Sequence, residues 1–597
     1  MNAEHSQPLA ADPSIVAPRL SVVLAMLDCR QRIPRAMASI LAQDLPAEEY
    51  EVIAVVDASA ETAEYLRSLR PACALRIIEH SNRGLAAALN QGVAAACGSI
   101  VLFTDDDIVL HPSNFRAHLD AHQTEDSLVV YGPAFVSEES TDTLATEFAR
   151  RELVEEIKRC QSGWTWQDDA KVGPNYSVPR ARLFAADGYD EQFLSLCRKE
   201  LGVRLAKMGL RFLYEPKAIS HQVHEKTARQ LMSIARGRGK EEVLVLHKHP
   251  DLRPYSTLAA FADAPPWKWL AYQAAARSPV SPDFVLRPAF ALAGSLRAWF
   301  PMRQLGLRLL RARIANSFLR GAVKSLGWPR LQAEVGKRLP VLMYHHVGPP
   351  QPNPEPVLFV SAARFESQMR FLAQRGYVGI RATDWLSWLQ HGTPLPEKPM
   401  LLTFDDAIED LNDHVFPVLE RYGFSAVVFV VTNCIGQGNH WNSPQGFMWR
   451  PCLTAEQIRH WSKNGIEFGA HSRNHPNLIA IGEPELQDEV AGSRSDLEKL
   501  LGFPVVSFAY PYGACDDAAA KCVQQHFDLG FTIETGLNTL RTGRCRLHRN
   551  IVFDWDTKLE LEFLVRMGWN PIRKLRGAVR LRSRLSAALR RFSTLKD

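Results

Sequence analysis

Two short stretches, Thr403-Phe404-Asp405-Asp406 and His471-Ser472-Arg473-Asn474-His475, offer two adjacent carboxylates and two imidazoles four residues apart. Two His and one carboxylate can hold a divalent ion with a position left open for water, and a second carboxylate beside them can take a proton from that water. That is a toolkit for metal-assisted hydrolysis. Either pair alone has an ordinary alternative: adjacent Asp residues cap turns and helices, and His at i and i+4 decorate solvated helix faces.

The elements needed to position these groups are legible around them. Lys398-Pro399-Met400-Leu401-Leu402-Thr403-Phe404 is an apolar run of the kind that fills a parallel sheet, and it ends at the acids. Val341-Leu342-Met343-Tyr344-His345-His346 is a second strand ending in polar groups, and Ser507 to Gly513 is a third, closing in a Pro-Tyr-Gly turn. Catalytic groups of barrel-like α/β folds sit at such carboxyl-terminal strand ends.

Assembled in this order, residues 338 to about 556 resemble the polysaccharide deacetylases of carbohydrate esterase family 4. The resemblance implies a distorted (β/α) barrel that removes N-acetyl groups from amino sugars. It makes Asp405 the general base and gives Asp406, His471 and His475 a divalent metal, zinc by expectation. The backbone N–H of Tyr512 would help stabilise the oxyanion. The Arg that many members carry shortly before Pro-Tyr-Gly, bracing the base, is replaced here by Phe508-Ala509-Tyr510. His548 is the candidate for the family's late general acid; a surface His between Arg546-Leu547 and Arg549 is the other reading. Trp441, Trp449 and Trp461 could stack on sugar rings or pack in the core.

The first 250 residues alternate strands and helices: Ser21–Leu27, a helix around Arg32 to Gln43, Glu51–Asp57, Arg76–Glu79, a Gly84-started helix, and Ser99–Thr104 leading into Asp105-Asp106-Asp107. This order predicts a parallel α/β sheet with ligands at the strand ends. Three acids after a buried strand call for neutralisation, which a divalent ion carrying a diphosphate would supply; a solvated turn is the alternative.

With Pro174-Asn175-Tyr176-Ser177 and Gly188-Tyr189-Asp190-Glu191-Gln192-Phe193 added, residues 19 to about 225 resemble family 2 glycosyltransferases of the GT-A fold. By that resemblance Asp57 binds the base or ribose of a sugar nucleotide, Asp105 and Asp107 hold its diphosphate through Mg²⁺ or Mn²⁺, and transfer is inverting. One departure concerns catalysis. The family's Glu-Asp pair, whose Asp deprotonates the acceptor, falls here on Cys197 and Arg198. Glu200 or Glu191 substitutes, or catalysis is weak or lost. Arg236-Gly-Arg-Gly-Lys240 reads as a basic segment covering the diphosphate or as a solvated loop.

At 597 residues the chain needs two or three domains. The expected division is a glycosyltransferase-like domain at 19–250, a basic helical connector at 251–335, a deacetylase domain at 336–560 and a basic tail at 561–597. Ten scattered Cys without a Cys-x-x-Cys pair, and a first 20 residues that lack a secretory pattern, favour a reducing, cytoplasmic setting. From Phe284 to Ala333 there are nine bases and no acid, interleaved with Leu, Phe, Trp and Ile, and Arg566 to Lys596 is again acid-free. Such segments suit an anionic membrane surface, here the cytoplasmic face of the inner membrane, or are solvated helices; no nucleic-acid recognition fold accompanies them.

The whole reads as a bifunctional enzyme of bacterial surface polysaccharide assembly, using a nucleotide sugar and an N-acetylated oligo- or polysaccharide that is lipid-linked or nascent. The rivals are a deacetylase whose other half only binds glycan or nucleotide, and a non-catalytic membrane scaffold.

Overall fold

The computed structural model describes residues 17–27, 32–57, 59–80, 84–125, 127–162, 173–278, 283–349, 358–441 and 449–573. The chain divides into two compact units, one of residues 1–255 with 272–328, the other of residues 256–271 with 329–597. Most of the basic tail, from 574 onward, lies outside the described residues.

The amino-terminal unit is built on β1 (Leu20–Leu27), β2 (Tyr50–Asp57), β3 (Ala74–His80), β4 (Ile100–Asp105), β5 (Ile108–Leu110), β6 (Leu128–Tyr131), β7 (Ala134–Val136), β8 (Asn175–Pro179), β9 (Arg211–Tyr214) and β10 (Ser220–Gln222). Seven of them form a sheet in the order β3-β2-β1-β4-β8-β6-β9. The pairs from β3 to β4 are parallel, and β8 runs antiparallel between β4 and β6. The central strands are continuous Val/Leu/Ile runs rather than alternating ones because both sheet faces are covered. The order reverses at β1, with β2 and β3 on one side and β4 on the other. The ends of β2 and β4 therefore carry Asp57 and Asp105 to the same edge, the place where open α/β sheets take ligands.

The Arg236–Lys240 run is not a loop. It lies inside a helix, Ala228–Lys248, which crosses the helix Phe300–Leu326 of the same unit. A Cβ on Gly239 would stand 1.9 Å from the Phe318 carbonyl oxygen, and one on Gly321 would stand 2.1 Å from that of Arg236. The glycines permit a backbone-to-backbone crossing that no larger residue fits. The acid-free stretch likewise finds its acids elsewhere in this unit: Arg303 pairs with Glu147 at 2.9 Å, Arg311 with Glu152 at 2.6 Å, and Arg313 is buried over the Phe290 ring. No described helix is long and apolar enough to cross a membrane.

The carboxy-terminal unit holds β11 (Leu339–Tyr344), β12 (His346–Gly348), β13 (Phe359–Ser361), β14 (Val378–Gly379), β15 (Pro399–Phe404), β16 (Ala426–Val430), β17 (Ile466–Ala470), β18 (Ser507–Ala509), β19 (Leu529–Phe531), β20 (Leu537–Asn538) and β21 (Asn550–Ile551). The run β19-β18-β17-β16-β15-β11 is parallel, and β21 pairs parallel with β11. The sheet curls into an incompletely closed barrel, as the sequence predicts. Beyond β19, a bridge from Phe531 to Leu547 and a hydrogen bond from the Leu547 N–H to the Gly530 carbonyl (2.8 Å) lead the segment before β21 back toward β11. Packing is continuous through Leu342, Phe365, Phe404, Val428, Phe468 and Phe508, each wholly or nearly wholly buried.

Candidate functional site

β15 ends in Thr403 and Phe404, so the next two residues emerge at the barrel rim. Asp406 turns out of the strand with φ +71, and Ala407 follows with φ +51. His471 follows β17 directly. The loop after it is not a helix: Ser472 and His475 both have left-handed backbone, φ +61 and +62. The Ser472 hydroxyl accepts the His475 N–H at 2.9 Å. Glu489, on the helix Glu483–Leu501, accepts the N–H groups of Arg473 and Asn474 at 2.8 and 2.9 Å, and Arg473 donates to Asp496 and Asp488. These bonds hold a loop that its own torsions disfavour.

The result is a convergent ligand set. His471 Nε2 and His475 Nε2 lie 3.8 and 3.5 Å from Asp406 Oδ1. The edge of a tetrahedron with ligands about 2.1 Å from its centre is about 3.4 Å, so these two distances are close to those of a tetrahedral site. His471 Nδ1 lies 2.8 Å from the Ala509 carbonyl, which can only accept; the proton sits on Nδ1 and the Nε2 lone pair points to the site. Burial pushes the proton affinity of both imidazoles down, which keeps them neutral as ligands must be. Among the described residues, Asp406, His471 and His475 are the group of His, Cys, Asp or Glu close enough to hold a metal ion, their ligand atoms within 4.8 Å of one another.

Asp405 is held differently. Arg549, with no exposed surface, donates to Oδ1 at 2.6 Å and to Oδ2 at 2.9 Å, and its Nε–H is anchored on the Thr532 carbonyl at 2.8 Å. Burial opposes ionisation of Asp405, yet the guanidinium, with His471 and His345, holds the carboxyl well below the usual range. Arg549, which the sequence offers only as a neighbour of His548, is thus a buried partner of Asp405. It supplies the brace missing before Pro-Tyr-Gly, from the segment that returns to β11. His345 follows β11 directly and also faces this acid. It lies 3.7 Å from Asp405 with 14% of its side chain exposed, and desolvation pushes its pKa down to about 4 despite that neighbour. The His548 imidazole meets Glu534 at 3.7 Å, and none of its described contacts reaches the two acids or the ligand imidazoles.

Tyr512 has φ +59, stands 46% exposed, and sets its ring edge-on to His475 at 4.6 Å. Trp441 stacks on the same imidazole at 4.8 Å, while Trp461, partly buried, packs on Phe416 and donates to Asn412. Trp449 remains largely exposed.

The acidic run of the amino-terminal unit carries counter-ions of its own. Arg198 forms a two-pronged pair with both oxygens of Asp105. Arg32 lies 3.3 Å from Asp106. Asp107 Oδ2 accepts from Gln222 at 3.0 Å and Lys226 at 3.1 Å. The expected Mg²⁺ or Mn²⁺ does not fit this arrangement. Two unit charges about 4 Å apart near a protein surface interact by about 4 kcal/mol, and a divalent ion on Asp105 would meet the Arg198 guanidinium at about twice that repulsion. Glu200, the candidate base, is fully buried. Burial works against its charge, but His249, Arg204 and Lys248 hold it down to about 2. A carboxylate so held is a weak proton acceptor, and its contacts are those of a structural ion network. Glu191 meets Asn90. The Asp57 side chain and residues 81–83 lie outside the described residues. Asn175, from the motif on β8, accepts from His118 and donates to the Ala218 carbonyl in the core.

Comparison with known proteins divides the chain in the same way. The polysaccharide deacetylase family model matches residues 392–531 and the glycosyl transferase family 2 model matches residues 21–169; the chain carries a domain of each. Among relatives, YxkH of Bacillus subtilis (strain 168), whose name assigns it provisionally to the polysaccharide deacetylases, is 27% identical over 220 residues, 37% of this chain and 73% of its own length. The poly-beta-1,6-N-acetyl-D-glucosamine N-deacetylase of Staphylococcus aureus (strain N315) is 22% identical over 205 residues, 33% of this chain and 68% of its own. The solved mannosyltransferase PcManGT of Pyrobaculum calidifontis, in complex with GDP-Man and Mn²⁺, aligns over 55% of this chain and 92% of its own at 19% identity and a TM-score of 0.37.

Proposed function

We propose that the carboxy-terminal unit is a metal-dependent N-deacetylase of N-acetylated amino-sugar oligo- or polysaccharides. The convergence of His471, His475 and Asp406 beside an Arg549-braced Asp405 is the observation that carries this reading. A divalent ion held there, zinc by its N,N,O donor set, would act as a Lewis acid toward an amide carbonyl and acidify water. The chain's own residues do the rest. Asp405 takes the proton of the attacking water. Arg549 keeps its carboxylate ionised and aimed, at the cost of proton affinity, so the base works only on an acidified water. The Tyr512 N–H donates to the oxygen on which charge develops. The exposed Tyr512 ring and the partly buried Trp441 ring, both against His475, offer faces for a sugar. The S. aureus relative named above suggests a β-linked N-acetylglucosamine polymer as the class to test first. Release of acetate from N-acetylglucosamine oligomers, lost on chelation and restored by zinc, tests the reading; acetate release that survives chelation would refute it.

For the amino-terminal unit the family 2 match supports engagement of a nucleotide sugar or of the glycan. Sugar transfer is the second reading and would need a base other than Glu200. We place both units in bacterial surface polysaccharide assembly on the cytoplasmic side, where nucleotide sugars are found. The exposed Leu292, Leu296, Trp299 and Phe300, beside Arg297 and Arg308, support contact with anionic lipid.

A further inference from the structure

We propose that Arg198 stands where the amino-terminal unit would otherwise take a divalent cation, so that the unit recruits no Mg²⁺ or Mn²⁺ and its acidic strand end is a closed ion-pair network. Three acids, Asp105, Asp106 and Asp107, face three bases, Arg198, Arg32 and Lys226. The charge is balanced by the chain itself. A metal site of the expected kind would instead present two carboxylates in search of a cation.

Arg198 is not a long side chain that has folded in from solvent. It starts the helix Cys197–Lys207, and only 15% of its side chain is exposed. Its charge acts on the buried Tyr176 and Tyr189 hydroxyls, which meet each other directly behind it. Its Nε is buried without a hydrogen-bond partner, so Asp105 is the anion that compensates the guanidinium. An ion taking Asp105 would strand that buried charge, the most unfavourable way to break a buried pair. Position matters as well. Arg198 occupies one of the two places where the resemblance expects an acid pair, so one substitution both removes an acid and installs the cation that closes the site. The site beneath is latent rather than erased: Asp107 Oδ1 is buried with no hydrogen-bond partner among the described residues.

The inference is independent of the deacetylase reading, and its test disables that site. Full-length His471→Ala/His475→Ala protein, with or without Arg198→Ala, is titrated with Mn²⁺ alone and with Mn²⁺ plus uridine diphosphate, and bound ion is followed by electron paramagnetic resonance. With Arg198 intact, no stoichiometric Mn²⁺ should be retained in either condition. Arg198→Ala should gain one Mn²⁺ per chain in the presence of the nucleotide, with affinity raised roughly tenfold or more. Arg198→Met, which keeps the side-chain bulk without its charge, is scored the same way if the Ala variant melts early. Stoichiometric Mn²⁺ with Arg198 in place would overturn the proposal, and so would no gain in a folded charge-free variant.

Discussion

Two strand ends in this chain begin alike and finish differently. β4 leads through Thr104 into Asp105-Asp106-Asp107; β15 leads through Thr403 and Phe404 into Asp405-Asp406. In both, an Arg from far along the chain grips the first acid with two bonds: Arg198 on Asp105, Arg549 on Asp405. The acids that follow part company. Asp406 meets two imidazoles whose Nε2 atoms gather beside its Oδ1, whereas Asp107 meets the donor groups of Lys226 and Gln222. One neighbourhood has acceptors in search of a cation, and the other has donors that already satisfy an anion. The same short acidic run is a metal centre or an internal salt bridge according to whether its partners bring lone pairs or protons.

The sharpest way to break the comparison is to remove a lone pair. His471→Ala should bring bound metal and acetate release down together to background, measured by elemental analysis and product release; full activity in a metal-free variant would end the assignment of that site. Arg549→Ala should cost the carboxy-terminal unit roughly 3–5 kcal/mol, because it leaves the Asp405 charge buried and alone, and chemical denaturation of the full chain reports it. An effect below about 1 kcal/mol would mean that the pair is not desolvated. Asp405→Asn should lose roughly 10²-fold or more in rate with metal content unchanged; a fall in metal instead would exchange the roles of the two acids.

A smaller effect belongs to the other unit. Glu200 is held at about 2 in the fold against 4.5 as a free side chain. Its folded pKa is depressed, so its contribution to stability is complete above about pH 4.5 and is lost as pH falls toward 2. Glu200→Gln should flatten that part of the denaturation-versus-pH curve, and an unchanged slope would mean the His249–Arg204–Lys248 network does not hold it. The smallest effect concerns lipid. Sedimentation with liposomes should show binding that rises with anionic lipid and falls with salt, reduced by Trp299→Ala/Phe300→Ala. Equal partitioning onto neutral and anionic vesicles would remove charge from the account.

What could be read from sequence follows from how far apart the partners lie. The strands and the acids at their ends are local: apolar runs close on polar residues. Asp406 and the His471/His475 pair are distant in sequence, and the motif order of the resemblance joins them. Arg549 grips an acid 144 residues away and Arg198 one 93 residues away, separations at which no spacing rule operates. His345 follows β11, and the parallel pairing of β11 with β15, which sets Tyr344 opposite Phe404, brings it to Asp405. Arg236–Lys240 read as a loop because Gly lowers helix propensity; the close crossing at Gly239 and Gly321 overrides it. A lone Arg where a resemblance expects an acid was the one available signal for the closed site.

Six non-glycine residues among those described have left-handed backbone, and five of them, Asp406, Ala407, Ser472, His475 and Tyr512, surround the ligand set. Each such torsion costs on the order of 1–3 kcal/mol, a cost met when the unit folds and not when an ion arrives. The ligand atoms therefore need little rearrangement on loading, and the loaded and stripped forms should superimpose closely at these loops. Exchange of the ion would then run at the tempo of local opening in the turn clamped by Glu489. A substitution that slackened that clamp would show first as a shorter residence time of the metal, before any change in what the site can bind.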